Sequence, residues 1–449
     1  MCHMLFTLSK ARIAALIILG FQNCLFFLLL CFFSLLCYSL FFKKPNGSRS
    51  DFDLPPSPPS LPIIGHLHLL LSTLTHKTLQ KLSFKYGSLI RLRILNIPIV
   101  LVSSASVAYE IFRTHDMNIS FRGSPPIHDS LFVGSWSFIF SPYGDHWKFM
   151  KKLMVTKLLG SQALERSRGV RADELERFYK SLLDEARKKE SVDIVKETMK
   201  LSNNIICKMI VGRSCSEENG EAEKARGLAS ESIALGNKIV LGSMLRPPFK
   251  KLVTSLFKKD MMDLLFAGTD TTAQTTQWTM AEIINKPNIL ERLREEIDSV
   301  VGKTRLIQET DLPKLPYLQA VVKEVLRLHP PGSFFARDPD YWEDPDEFKP
   351  ERFLLASSSR SRQDDERREK ALQYIPFGGG RRGCPGENLA YVILGTVVGM
   401  MVQGFEWRIK GEKVDLEESI KGLTLTMAHP PKFTPGARNS NYSNLNLQS

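Results

Sequence analysis

The sequence predicts a mainly α-helical protein with small β-sheets, one large body standing behind an N-terminal transmembrane helix. Three observations predict it. Residues 13–42 carry no charge, a proline-dense stretch follows them, and the remainder mixes amphipathic helical patterns with a few short β-like runs. The 449 residues are ample for one large core, against a prior of about three units at ~150 residues each. A hydrophobic fraction of 43% with 24% charge excludes collagen-like, wholly disordered and multi-span membrane chains. The net charge of +12 leaves three partner classes: nucleic acid, an anionic membrane surface or an acidic protein.

The apolar run comes first. Thirty helical residues would reach about 45 Å at ~1.5 Å each, more than a ~30 Å hydrocarbon layer requires. Gln22 and Asn23 interrupt the run, so Cys24–Phe42 is the better span. The alternative is a cleaved signal peptide, whose apolar stretch is shorter, about 7–15 residues. Basic residues flank both sides (Lys10 and Arg12; Lys43, Lys44 and Arg49), which leaves orientation open. Leu54-Pro-Pro-Ser-Pro-Pro-Ser-Leu-Pro62 then forms a stiff extended spacer, because proline fixes φ and removes donors. It reads as a hinge after an anchor, or as a plain linker. The resulting division is an anchor over 1–44, a hinge over 45–62, a body over 63–436 and an Asn/Ser-rich disordered tail over 437–449.

Within the body, Leu89–Ile94 and Ile99–Val102 read as strands with Pro98 as a break between them. Ala163–Lys189 and Pro287–Val301 place apolar residues at three-to-four spacing among charges and read as helices. Pro316–Leu328 is a shorter amphipathic helix closed by His329-Pro330-Pro331. No repeat recurs at 20–50 residues. Four of the seven cysteines lie in the first 37 residues, and only Cys207, Cys215 and Cys384 remain for the body. So sparse a set predicts reduced thiols, with at most one doing chemistry.

That one stands in Phe377-Gly-Gly-Gly-Arg-Arg-Gly-Cys-Pro-Gly386. Five glycines and a proline let the loop approach a flat ligand closely and turn backbone N–H groups toward the sulfur. Arg381 and Arg382 favour a thiolate and offer donors to carboxylates. The helical run Asn388–Gly404 follows, with its positive end toward the sulfur. The set suits a thiolate ligand to a metal in an acidic macrocycle; a free cysteine in a Gly-rich turn is the other reading.

The arrangement Phe-x-x-Gly-x-Arg-x-Cys-x-Gly resembles the haem-binding loop of the cytochrome P-450 superfamily. The resemblance extends from the anchor to about Lys432 and is closest to the plant-type microsomal members. It implies a cytochrome P-450 fold with haem b, Cys384 as the axial thiolate, Arg382 on a propionate, and Phe377 and Gly386 beside the sulfur.

Other segments fall in the family's order. Glu324 and Arg327 share a helix face at i, i+3, which alone reads as a surface ion pair. By resemblance they are the Glu-x-x-Arg pair, with Arg352 of Pro350-Glu-Arg-Phe353 as third member. Ala267-Gly-Thr-Asp-Thr-Thr272 resembles the groove of the central helix over the haem. There Ala267 and Gly268 leave room, while Asp270 and Thr271 are the acid–alcohol pair for proton delivery. Trp147-Lys-Phe-Met-Lys151 resembles the Trp-x-x-x-basic helix whose indole and ammonium serve the propionates, or it is a core Trp beside surface lysines. Ser135–Ile139 and Leu423–Leu425 correspond to pocket-lining places, and core packing describes them equally well.

Two regions are shorter than the family pattern. Phe257–Phe266 runs straight into the central helix, where the family has lid helices. Gly332–Arg337 stands where the family has several strands, and six residues cross no more than ~20 Å. Arg337 either replaces a propionate-binding arginine from that stretch or starts the next loop.

The resemblance therefore implies a haem-thiolate monooxygenase anchored by one span in the endoplasmic reticulum membrane, its catalytic body cytosolic and its anchor in lipid. It would insert one atom of O₂ into a small apolar substrate, a secondary metabolite such as a flavonoid or terpenoid. No flavin or phosphate-binding loop lies in the chain, so electrons would come from NADPH–cytochrome P-450 reductase, docked on a basic face that includes Lys148, Lys151, Lys152 and Arg381. Nucleic acid is then not an expected partner. The alternatives are an inactive, truncated relative or splice form that binds haem poorly, and a basic anchored binding module without haem.

Overall fold

The computed structural model describes residues 26–34, 54–70, 75–95, 97–121, 138, 141–212, 214, 263–332, 337, 341–355, 374–421 and 424–438. The chain divides into two compact units, Met1–Leu71 with Ile90–Leu101, and Ser72–Leu89 with Val102–Ser449.

In the first unit, residues 26–34 form a helix, α1, whose apolar side chains are exposed. No helix among the described residues is long and apolar enough to cross a membrane. The rest of the expected span lies outside the described residues. A short helix, α2 (Leu67–Leu70), and two paired strands, β1 (Leu89–Ile94) and β2 (Ile97–Val102), follow. In β1 the alternate residues Ile90, Leu92 and Ile94 are buried, as the two-residue period of a strand requires. Pro98 lies inside β2 rather than between strands. A two-stranded sheet has only edges, where the missing N–H costs no ladder bond. The break comes at Leu95, whose φ is +53°. The proline segment is tied down by the buried His66: Nδ1 accepts from Arg93 N–H at 2.8 Å and Nε2 donates to Pro58 O at 2.9 Å. Those two partners fix the neutral tautomer.

The second unit begins with α3 (Thr75–Tyr86), α4 (Ala105–Thr114) and α5 (Asp145–Met154), which passes through one π-helical turn, Val155–Leu159. The expected helix over Ala163–Lys189 is two helices, α6 (Ser161–Arg166) and α7 (Arg168–Lys188). Ser167 divides them because its hydroxyl turns back to Ala163 O at 2.9 Å and accepts from Arg171 Nη1 at 2.7 Å. Leu175, Phe178, Tyr179, Leu182 and Leu183 give α7 a buried stripe at helical spacing. In α8 (Ile194–Val211), Asp193 caps the start by accepting from Lys196 N–H at 3.1 Å, and Gly212 at φ +79° ends it.

The centre is α9 (Asp263–Ile284), packed against α8 and against α13 (Glu387–Gly404), which is buried on nearly every side. Helices α10 (Pro287–Val300) and α11 (Pro316–Leu328) close the core. In α10 the buried side chains Ile289, Leu293 and Ile297 recur every fourth residue. The short α12 (Arg352–Leu355) lies against α11. Strand β3 (Phe405–Ile409) pairs antiparallel with β6 (Phe433–Ala437), and β4 (Glu418–Lys421) with β5 (Thr424–Met427). The architecture is thus mainly helical with small sheets, as the sequence predicts. Cys207 is disulfide-bonded, which departs from the expectation of a fully reduced set.

Candidate active site

The cysteine loop is shaped by its glycines. Gly378 and Gly380 adopt φ of +72° and +63°, a region costly to residues with a Cβ. Cys384 N–H donates to Phe377 O at 2.9 Å and closes the loop. Gly386, which caps α13, aims its N–H at Cys384 Sγ from 3.4 Å. The sulfur is exposed and faces a cavity of about 520 Å³. A backbone N–H and a helix N-terminus at one sulfur both favour the thiolate.

Opposite elements of the same unit complete the cavity. Ala267, Gly268 and Thr271 of α9 line it, as do Phe377, Arg382, Gly386 and Trp147. Trp147 is 3% exposed, and its Nε1 has no hydrogen-bond partner among the described residues. The Arg382 guanidinium lies 4.6 Å from the indole centroid and donates to the carbonyls of Ser120 and Ser141 at 2.6 and 2.7 Å. Lys151 does not line the cavity. Its ammonium donates to Arg381 O and stands 5.1 Å from the Trp147 ring centroid. Burial, with Arg382 nearby, holds its pKa below the usual lysine range.

Thr271 Oγ1 donates to Ala267 O at 2.6 Å from the cavity wall. Asp270 faces elsewhere. Its Oδ2 accepts from Thr424 Oγ1 at 2.9 Å and its Oδ1 from Gln274 Nε2 at 3.3 Å. Burial pushes its carboxyl pKa up, against the pull of those two hydrogen bonds. The acid and the alcohol therefore occupy different sides of α9. Gly268 also has a packing reason to be glycine, since a Cβ there would come within 2.9 Å of Ile206 Cδ1.

Glu324 and Arg327 are no surface pair: neither side chain is exposed at all, and Arg327 Nε donates to Glu324 Oε2 at 2.7 Å. Arg352 Nε donates to Glu324 Oε1 at 3.0 Å, and Lys349 N–H to the same atom at 2.8 Å. Phe138, of the Ser135–Ile139 segment, lines the cavity and stacks on Trp147 at 5.5 Å; residues 135–137 and 139 lie outside the described residues. Leu423 lies outside them too, while Thr424 and Leu425 do not line the cavity. Arg337 is spent elsewhere, on Glu418 and on Leu328 O at 2.6 Å.

Sequence reasoning missed the α8 contribution of Ile206, Met209 and Ile210, and the hydroxyls of Thr272 and Thr275 on α9. The i, i+3, i+4 apolar spacing in α8 was a signal, but it equally describes a core face.

The donor set fits a flat, acidic, metal-bearing group: an exposed sulfur with an N–H on it, and a buried indole N–H with no partner among the described residues, beside Arg382 in a mostly apolar cavity. The family profile described as Cytochrome P450 matches residues 55–261, 250–337 and 333–434. This chain belongs to the cytochrome P450 family. It is 56% identical to Cytochrome P450 705A22 of Arabidopsis thaliana, over 94% of this chain and 98% of the relative. It is 34% identical to Cytochrome P450 93A3 of Glycine max, over 90% and 96%. With 3,9-dihydroxypterocarpan 6A-monooxygenase of the same plant it shares 33% identity over 92% and 98%. Cytochrome P450 proteins are haem-thiolate monooxygenases, oxidoreductases that draw electrons from a redox partner and act with O₂ on apolar substrates. The alignment with the first relative runs over 508 positions, more than the 449 residues here, so that relative carries residues where this chain has none.

Proposed function

We propose that the chain is a membrane-anchored plant P450 monooxygenase, with Cys384 as the thiolate ligand of haem b. The observation that carries this reading is the cavity-facing sulfur with Gly386 N–H directed at it. In this reading Trp147 Nε1 and Arg382 hold the propionates, and Lys151 backs the loop through Arg381 O. When bound, the haem supplies activation of O₂, and the thiolate's electron donation favours O–O cleavage.

This chain's own residues have four tasks. Gly386 N–H points at Cys384 Sγ and favours its thiolate form. Ile206, Met209 and Phe138 give the substrate an apolar wall and exclude water. Thr271 Oγ1 orients a proton donor at the α9 wall. Asp270, whose carboxyl pKa burial pushes up, exchanges protons with the cavity only when the Thr424 bond opens. The substrate is a plant secondary metabolite such as a flavonoid or terpenoid. The named activity of the 3,9-dihydroxypterocarpan 6A-monooxygenase relative supports that class. Electrons come from NADPH–cytochrome P450 reductase. In this reading the protein sits in the endoplasmic reticulum membrane with its body cytosolic, and the uncharged run over 13–42 supports the anchor.

A second reading has its own observation. The family profile matches in three segments that meet around residues 250–261 and 333–337, and the relatives are longer inside the alignment. A shortened lid and pocket wall would admit water and divert reducing equivalents from substrate, giving a truncated form with poor haem binding and no catalytic activity. The reduced, carbon-monoxide-treated full chain separates the two. A red-shifted thiolate Soret band that vanishes in Cys384→Ser supports the monooxygenase; a colourless protein supports the truncated form.

A further inference from the structure

The Gly-rich loop rests on the end of α4. Asp116, two residues beyond that helix, accepts from Arg381 twice: from its backbone N–H at 3.2 Å through Oδ1, and from Nη1 at 2.5 Å through Oδ2. The carboxylate is 12% exposed and the contact joins residues 265 apart in sequence. The loop backbone lies flush on the same seat. A Cβ on Gly380 would collide with Asp116 Oδ1, and a Cβ on Gly379 would come within 3.2 Å of the Phe112 ring. Lys151 holds Arg381 O from the other side. Arg381 is thus gripped at its N–H, its side chain and its carbonyl, three residues before Cys384.

We infer that Asp116 is a positioning residue for the thiolate loop: its carboxylate fixes Arg381 and, through it, the turn that delivers Cys384 Sγ to the cavity. The inference rests on the reading of Cys384 as the haem ligand. Backbone N–H and guanidinium bound to one carboxylate form a bidentate, charge-assisted clamp. Glycine at 379 and 380 is the counterpart of that clamp, since any side chain would lift the loop off Phe112 and Asp116. Loss of the clamp should spare the fold and the cavity walls, which other contacts hold, and loosen the turn that positions Cys384 Sγ.

The test uses the haem-loaded full chain. The reduced carbon-monoxide spectrum is followed in time, at a temperature where far-UV circular dichroism stays constant. Asp116→Asn should convert from the thiolate-type to the neutral-ligand band at least ~10-fold faster than wild type, the scale of one charge-assisted hydrogen bond. Asp116→Glu should return most of the wild-type rate. The double variant Asp116→Asn/Arg381→Gln should convert no faster than the faster single variant, since each single change already breaks the same Arg381 Nη1–Asp116 Oδ2 ion pair. If Asp116→Asn takes up no haem, Arg381→Gln removes the pair from the other side and is scored by the same criterion. A wild-type rate in the scored variant, or multiplying effects in the double, overturns the inference alone. A wild-type protein without any thiolate band overturns the ligand reading and the inference with it.

Discussion

Glu324 Oε1 accepts from Arg352 Nε at 3.0 Å while the two oxygens of Glu324 hold Arg327 at 2.7 and 2.8 Å. Arg327 in turn donates to Pro345 O at 2.7 Å and Glu347 O at 3.1 Å, so one carboxylate organises α11, α12 and the loop between them. Neither Glu324 nor Arg327 is solvent-exposed. A buried pair of this kind contributes little net stability as a pair, yet loss of one member leaves an uncompensated charge. Glu324→Gln should therefore cost about 3–5 kcal/mol, read as a lower urea midpoint. Arg352→Gln should cost less, because Arg352 is partly exposed and water can replace it. Equal losses in the two variants would contradict the burial argument.

The pH dependence of Asp270 has a definite sign. Burial raises its carboxyl pKa in the folded chain above its unfolded value. Stability from such a group is fully present below the unfolded pKa and is lost as pH rises through the folded one. Asp270→Asn should accordingly raise the thermal midpoint at pH 7 to 8 and bring no gain near pH 4. A variant that is destabilised equally at both pH values would show that the Thr424 and Gln274 hydrogen bonds outweigh desolvation.

The parts of the site that were legible are those written in consecutive residues. The cysteine loop needs glycines at positive φ and an N–H at its sulfur, and Gly378, Gly380, Cys384 and Gly386 state both within nine positions. Glu324 and Arg327 share a face because a helix brings i and i+3 together. What sequence could not reveal depends on chain crossings. Asp116 meets Arg381 across 265 residues, and Thr424 meets Asp270 across 154. No local pattern marks either partner. Neighbours on a helix point about 100° apart, so Asp270 and Thr271 face different surroundings, and adjacency in sequence does not reveal the Thr424 partner. Pro98 stands inside an edge strand, where its missing N–H costs no ladder bond, and the break at Ser167 comes from its local bonds to Ala163 O and Arg171 Nη1.

Trp147 offers a prediction about haem affinity. Its buried Nε1–H has no partner among the described residues, whereas its ring is held by Phe138 at 5.5 Å and Tyr143 at 5.3 Å. Trp147→Phe keeps an aromatic ring and deletes only the donor and part of the bulk. Haem dissociation, followed by transfer to a scavenging protein, should accelerate by about 10-fold or more, the range of a hydrogen bond to a charged acceptor. Unchanged haem loss would remove the propionate role given to the indole.

The indole of Trp278 lies on the imidazole of His329, centroids 3.9 Å apart and planes 9° from parallel. His329 Nε2 is 2.9 Å from Glu282 Oε1, and Lys286 Nζ donates to Glu282 Oε2 at 2.7 Å. Burial alone would push the Glu282 pKa up, but His329 and Lys286 hold it below the usual range. A depressed carboxyl contributes stability above its unfolded pKa, and that stability is lost as pH falls through the folded one. His329→Phe preserves the stack and removes the partner. At neutral pH it should cost about 1–3 kcal/mol, the penalty of an under-satisfied buried group. The gap to wild type should shrink as pH drops below about 4.3, the ordinary glutamate value, because a protonated Glu282 no longer carries the charge that its partner offsets. Denaturant midpoints at pH 7 and pH 4 measure both numbers. A gap of the same size at the two pH values would assign the loss to packing on Trp278 rather than to the carboxylate.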